Sequence, residues 1–132
     1  MEPLTALASR KKNTVTRLNT NSRILKFILK AIQEKKGENI VSLDLRKIPE
    51  AVSDFFIICD ATSTTQVRAI ADFIEDTIKK ELGENPYRHE GYNVLQWVLI
   101  DYVNIVVHVM LPETRKFYKL EEMWSDAILQ EY

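Results

Sequence analysis

Cysteine is almost missing from this chain, with Cys59 alone among 132 residues. One thiol excludes an intrachain disulfide framework and a cysteine-built zinc site, and it fits a reducing compartment, so a cytoplasmic location is expected. Histidine is nearly as scarce. His89 and His108 stand without a histidine pair at ligand spacing or an acidic cluster beside them, so no metal is expected, and no cofactor either. Long apolar runs are lacking too: nothing approaches the roughly 18 residues that cross a bilayer, and the start has no short hydrophobic core of a secretory signal. No membrane association is expected. A strong charge of one sign is also absent, the formal net charge being -1, which argues against a surface built to hold nucleic acid through its phosphates.

What remains is 45% hydrophobic and 28% charged, the balance of one globular domain with a substantial core. Charge is nevertheless unevenly placed. Arg10, Lys11, Lys12 and Arg17 against Glu2 make the beginning basic and leave the rest mildly acidic. Residues 1–19 carry no sustained hydrophobic period and mix Ser, Thr, Asn and basic side chains, so they read as a flexible basic leader able to touch RNA incidentally. The folded domain is expected over residues 20–132.

Within it, Ile24, Leu25, Ile28, Ala31 and Ile32 recur at helical spacing from Asn21 until Gly37, a natural stop. Ile40 to Leu45 alternates and starts β-branched, as a strand does. Phe55 to Cys59 is a continuous apolar run of strand length, which predicts a strand buried on both faces of a helix-covered sheet. Ser63 and Gln66 then have the spacing of a capping box. The second helix runs to Leu82 with Val67, Ile70, Ala71, Ile74 and Ile78 as its buried stripe and Gly83 as its stop.

Between Asn85 and Gly91 there is room for one short strand. Gln96 to Asp101 and Ile105 to Met110 follow as a hairpin turning at Tyr102 to Asn104. After Pro112, Leu120, Met123, Trp124, Ala127 and Ile128 fall on one helical face, which predicts a closing helix with Trp124 in the core. The order α-β-β-α-β-β-β-α, with a crossover around the second helix, predicts an α/β domain: a mixed sheet of about five strands flanked by helices.

Few residues offer chemistry. Cys59, at the end of a core strand, reads as a packed thiol rather than a nucleophile. The Ala61-Thr62-Ser63 loop precedes a helix where open sheets bind anions, yet it lacks the glycine that a phosphate cradle uses for close approach. Metal-assisted nucleotidyl transfer needs converging carboxylates, and the hairpin offers only Asp101, with Asn104 where a second acid would stand. Trp97, Leu99 and Asp101 share one strand face, and Gln96, Val98 and Ile100 the other. If helices cover one face, Trp97 is either packed beneath them or presented as a docking anchor, a large apolar area with little entropy to lose. His108 is likewise either a hydrogen-bonded sheet histidine or a partner-facing one.

Several separated segments carry a resemblance: Asp54-Phe55-Phe56-Ile57-Ile58-Cys59 with Ser63 and Gln66-Val67-Arg68-Ala69-Ile70-Ala71; Glu90-Gly91; Trp97 to Tyr102; Val106-Val107-His108-Val109; and Arg115-Lys116-Phe117-Tyr118 with Leu120-Glu121, Trp124 and Asp126-Ala127. In this order the chain resembles the ribosomal silencing factors, or Iojap family, over roughly residues 20–128. The resemblance implies a nucleotidyltransferase-like fold without the catalytic acids, hence no enzyme. It implies a translation repressor that binds the large ribosomal subunit through its protein number fourteen and blocks association with the small subunit. Organellar members of the family assist late large-subunit assembly, so an assembly factor using the same surface is the alternative, and a transferase acting at the Ser63 loop with Asp101 the more distant one.

The partner-binding residues so implied are Trp97, Leu99, Asp101, Tyr102, His108, Glu90 and Tyr118. Two departures stand out. Thr62 replaces a common glycine before the loop serine, and Val103-Asn104 replaces a common Gly-Asp in the hairpin turn. An apolar docking face also suggests self-pairing, so a homodimer off the ribosome is expected.

Overall fold

The computed structural model describes residues 18–132, with side chains described from residue 23 onward. All but the last two positions of the expected basic leader lie outside the described residues. The elements are α1 (Leu18–Glu34), β1 (Glu38–Asp44), β2 (Phe55–Asp60), α2 (Thr64–Leu82), β3 (Arg88–Glu90), β4 (Trp97–Asp101), β5 (Ile105–Met110), α3 (Pro112–Tyr118), α4 (Leu120–Met123) and β6 (Ile128–Glu131). Among the described residues no helix is long and apolar enough to cross a membrane.

Helix α1 begins ahead of the expected Asn21, and it ends in a way the sequence disguises. Lys36, not glycine, takes the left-handed conformation (φ 65°). Its N–H donates to Gln33 O at 3.0 Å and Gly37 N–H to Ile32 O at 2.9 Å, closing the last turn. Gly37 is needed for space instead, since a Cβ there would lie 2.5 Å from Ile32 Cγ2.

Helix α2 follows the expected pattern closely. Its buried residues are Val67, Ile70, Ala71, Ile74 and Ile78, each buried valine or isoleucine contributing about 1.5–3 kcal/mol. Ser63 accepts from Gln66 N–H at 3.1 Å, and Gly83 ends the helix in the left-handed region. The capping box is altered, however. Gln66 Oε1 reaches back to accept from Thr62 N–H at 2.7 Å rather than from Ser63, while Nε2 of the same side chain donates to the Lys35 and Lys36 backbone carbonyls and ties the two helices together.

The strands form one sheet in the order β3-β4-β5-β2-β1-β6. The sheet is mixed because β2 and β5 run parallel while β1-β2, β1-β6, β3-β4 and β4-β5 run antiparallel. The chain leaving α2 therefore lands at the far edge as β3, and β4 and β5 return toward β2. Phe56, Ile57, Ile58 and Cys59 are all buried, as expected of a strand enclosed on both faces.

Two corrections concern the end of the chain. The sheet has six strands rather than about five, and the expected closing helix is two short pieces broken at Lys119, which adopts φ 51°. Ile128 belongs to edge strand β6, paired with β1 opposite Asp44. Trp124, expected in a helical core, caps α4 and is half-buried, its ring 6.1 Å from that of Phe56.

The sheet separates two apolar clusters. One joins Ile57, Cys59, Val98, Ile100, Val107 and Val109 to the buried stripes of α1 and α2. The other joins Val41, Leu43, Phe56, Ile58, Val106 and Met110 to Leu120, with Trp97, Leu99 and Trp124 at its margin. Long helices thus cover one face. The other is only partly covered by the α3-α4 segment.

Candidate functional site

Alternation along β4 sends Val98 and Ile100 under the helices and Trp97 and Leu99 to the less covered face. Trp97 is half-buried there. Its ring lies 4.9 Å from that of Tyr118 at 52°, and Tyr118 in turn meets Phe117 edge-on at 5.0 Å. Phe117 and Met123 are largely exposed, at 77% and 66%. Half-buried Leu99 sits between Glu90 of β3 and His108 of β5 in the strand register. The result is an apolar shelf of Trp97, Leu99, Tyr118 and Phe117 with Glu90 at its rim.

Gly91 sets the shelf's edge. It has φ 95°, and a Cβ there would stand 2.0 Å from the Trp97 carbonyl oxygen. Only glycine lets the chain pass that close to β4.

The other expected site residues lie beneath this surface. Asp101, Tyr102 and His108 are 2%, 2% and 3% exposed, so they cannot touch a partner without local opening. Asp101 accepts from Val103 N–H at 2.8 Å and has Arg88 Nε at 3.6 Å. Arg88 also pairs with Glu90 at 3.0 Å, so the two acids expected to meet a basic partner already share one guanidinium. His108 Nδ1 accepts the Trp97 indole N–H at 3.0 Å, and burial pushes its pKa down to about 3. Cys59 is buried, and desolvation raises its thiol to about 12, which leaves it protonated and unreactive at neutral pH.

A second constellation escaped sequence reasoning. Arg115 Nη1 contacts Asp60 Oδ1 at 2.9 Å and the Asn39 carbonyl at 2.7 Å, while Nη2 meets Glu121 at 2.6 Å. This largely buried guanidinium fastens α3 and α4 to the ends of β1 and β2, and so holds Tyr118 against Trp97. The segment Arg115-Lys116-Phe117-Tyr118 stood out in the sequence, but Asp60 is too distant along the chain for its pairing to be visible. An open cleft of about 450 Å³ beside it is lined by acids and lysines together, including Lys116, Lys119 and Glu122, a mixture that favours neither charge. Among the described residues, no group of three or more histidine, cysteine or acidic side chains is placed to hold a metal ion.

The model of the family described as "Ribosomal silencing factor during starvation" matches residues 18–132. The chain belongs to the ribosomal silencing factor family. It is 41% identical over 106 residues to the ribosomal silencing factor of Bacillus subtilis, covering 80% of this chain and 88% of that one. With the ribosomal silencing factor of Halalkalibacterium halodurans it shares 39% over 108 residues, 82% and 91% of the two chains. A mouse protein named "Mitochondrial assembly of ribosomal large subunit protein 1" is 32% identical over 94 residues, 68% of this chain and 41% of that one. The fold resembles a crystal structure of a Chromobacterium violaceum protein at TM-score 0.73 and 34% identity, covering 79% and 85% of the chains. The mixed α/β domain is thus the family's own fold, and the family is named for a regulatory action rather than a reaction.

Proposed function

We propose that this protein is a non-catalytic translation repressor of the cytoplasm. It docks on the large ribosomal subunit through the subunit's protein number fourteen and excludes the small subunit by occupying its contact area. The observation that carries this reading is the half-exposed Trp97 indole, packed at a tilt against Tyr118, on the sheet face that the long helices leave open. An aromatic anchor at the centre of such a contact contributes on the order of 2 kcal/mol or more. Leu99 and Tyr118 extend the apolar contact, and Glu90, exposed at the rim, steers a basic partner. Asp101, Tyr102 and His108 serve from below by fixing the strand and ring positions. The basic leader adds incidental rRNA contact.

Trp97→Ala is expected to abolish cosedimentation with purified large subunits while the far-UV circular dichroism stays unchanged. A variant that cosediments like the wild type refutes the reading. Assembly of the large subunit is the second reading, favoured by the name of the mouse relative; it uses the same surface and leaves mature-subunit joining unaffected. Off the ribosome the apolar shelf pairs with its copy in a homodimer, and light scattering showing monomers at high concentration removes that part.

A further inference from the structure

His108 is an odd choice for the middle of a sheet. It is 3% exposed on β5, among Val106, Val107, Val109 and Met110, and its ring lies 4.6 Å from that of Phe56 at 61°. Nδ1 has a partner, the Trp97 indole N–H at 3.0 Å. Nε2 is buried with no hydrogen-bond partner among the described residues. An indole nitrogen can only donate, so Nδ1 must present its lone pair and the ring's proton must sit on Nε2. Burial keeps the imidazole neutral at physiological pH, which preserves this tautomer. A buried polar hydrogen without an acceptor costs stability that an aliphatic side chain here would not. Any aromatic ring could make the edge contact with Phe56, so what a histidine adds at this place is its bond to Trp97.

That bond acts on the ring at the centre of the apolar shelf. Trp97 is half-buried, and the Tyr118 ring tilted against it is itself 48% exposed. Contact with a half-exposed ring is non-directional and does not by itself set the indole's orientation. A hydrogen bond donated to the buried strand beneath fixes the ring before anything binds, and a fixed side chain loses less freedom on association.

We propose that His108 is the positioning residue of the docking surface, holding the Trp97 indole through its Nδ1 lone pair in the orientation a partner meets. The inference rests on the docking reading above and deepens it. It requires that His108 act on binding through Trp97 alone.

The test compares wild type, His108→Leu, His108→Asn, Trp97→Phe, Trp97→Ala and the double variant of His108→Leu with Trp97→Phe. Affinity for purified large subunits and the indole Nε1–H resonance in 15N NMR are read on each; the Trp97 signal is told from that of Trp124 by its loss in Trp97→Phe. Asparagine places an acceptor at the same point along the side chain as Nδ1, and leucine removes it. His108→Leu is expected to weaken binding roughly five-fold or more, from the ordering cost restored to the ring. It also shifts the Trp97 indole resonance and speeds its exchange with solvent. His108→Asn recovers most of both, and His108→Leu costs nothing further once Trp97 is phenylalanine. If His108→Leu fails to fold, benzothienylalanine in place of Trp97, which keeps the ring shape without the N–H, is expected to weaken binding to the same extent. Full affinity in that chain overturns the inference.

Unchanged binding by His108→Leu, while Trp97→Ala abolishes it, overturns this inference and leaves docking intact. An equal loss from His108→Leu in both backgrounds does the same. Unchanged binding by Trp97→Ala overturns the docking reading and this inference together.

Discussion

Val103 heads the β4-β5 hairpin at φ 77°, with Asn104 N–H donating to Tyr102 O at 2.9 Å, the i to i+2 bond of a γ-turn of the strained hand. A β-branched side chain holds such a conformation at a cost of about 1–3 kcal/mol. Val103→Gly removes that strain. Against it stand the greater freedom of glycine in the unfolded chain, about 0.5–1 kcal/mol, and the loss of a half-buried side chain. With the strain at the upper end of its range, as expected for a β-branched residue in this turn, a net stabilisation of about 1 kcal/mol remains, which for a domain of this size raises Tm by about 3–5 °C. Differential scanning calorimetry of Val103→Gly beside Val103→Ala checks it. Alanine keeps the Cβ and the strain while losing the methyl groups, so it gives no rise. A lower Tm for Val103→Gly, or an equal rise for Val103→Ala, refutes the backbone argument.

Gly91→Ala is expected to destabilise the domain by about 3 kcal/mol or more, because its Cβ has to displace the Trp97 carbonyl from a residue already at positive φ; a thermal melt unchanged within 2 °C or so contradicts this. Acid should weaken the fold through His108. At pH 7 its ring is neutral in both states, but below about 6.5 the unfolded chain takes up a proton that the folded one refuses until about pH 3. Stability is therefore fully present above 6.5 and falls toward 3, by on the order of 1 kcal/mol for each pH unit from this group. Urea midpoints at pH 7 and pH 5 should converge in His108→Asn relative to wild type, and an identical drop in both contradicts the assignment.

Local rules made much of the fold legible. The stripe of α2, its serine cap and its glycine stop follow from spacing and chemistry within one helix, and the apolar run of β2 announced burial on both faces. What failed depended on distant partners. Leu120, Met123, Trp124 and Ala127 have helical spacing, yet Lys119 breaks the helix and Ile128–Glu131 finds β1 as a strand partner far back in the chain. The same limit applies at the site. Alternation placed Trp97 and Leu99 together on one face but could not say how deep Asp101 and His108 would lie, since depth is set by the neighbouring strands. The Arg115 hub was hidden for the same reason, its partners coming from β1, β2 and α4. Gly37 looked like a left-handed stop because glycine usually is one, whereas here crowding against Ile32 demands it.

Light-scattering detection of subunit joining tests the central claim most directly. Purified mature large subunits are preincubated with the protein, small subunits are added, and formation of the joined ribosome is followed. The wild-type chain is expected to suppress joining in proportion to the large subunits it occupies, with Trp97→Ala leaving joining at the level seen without protein. Normal joining by large subunits saturated with the wild-type chain would contradict the account.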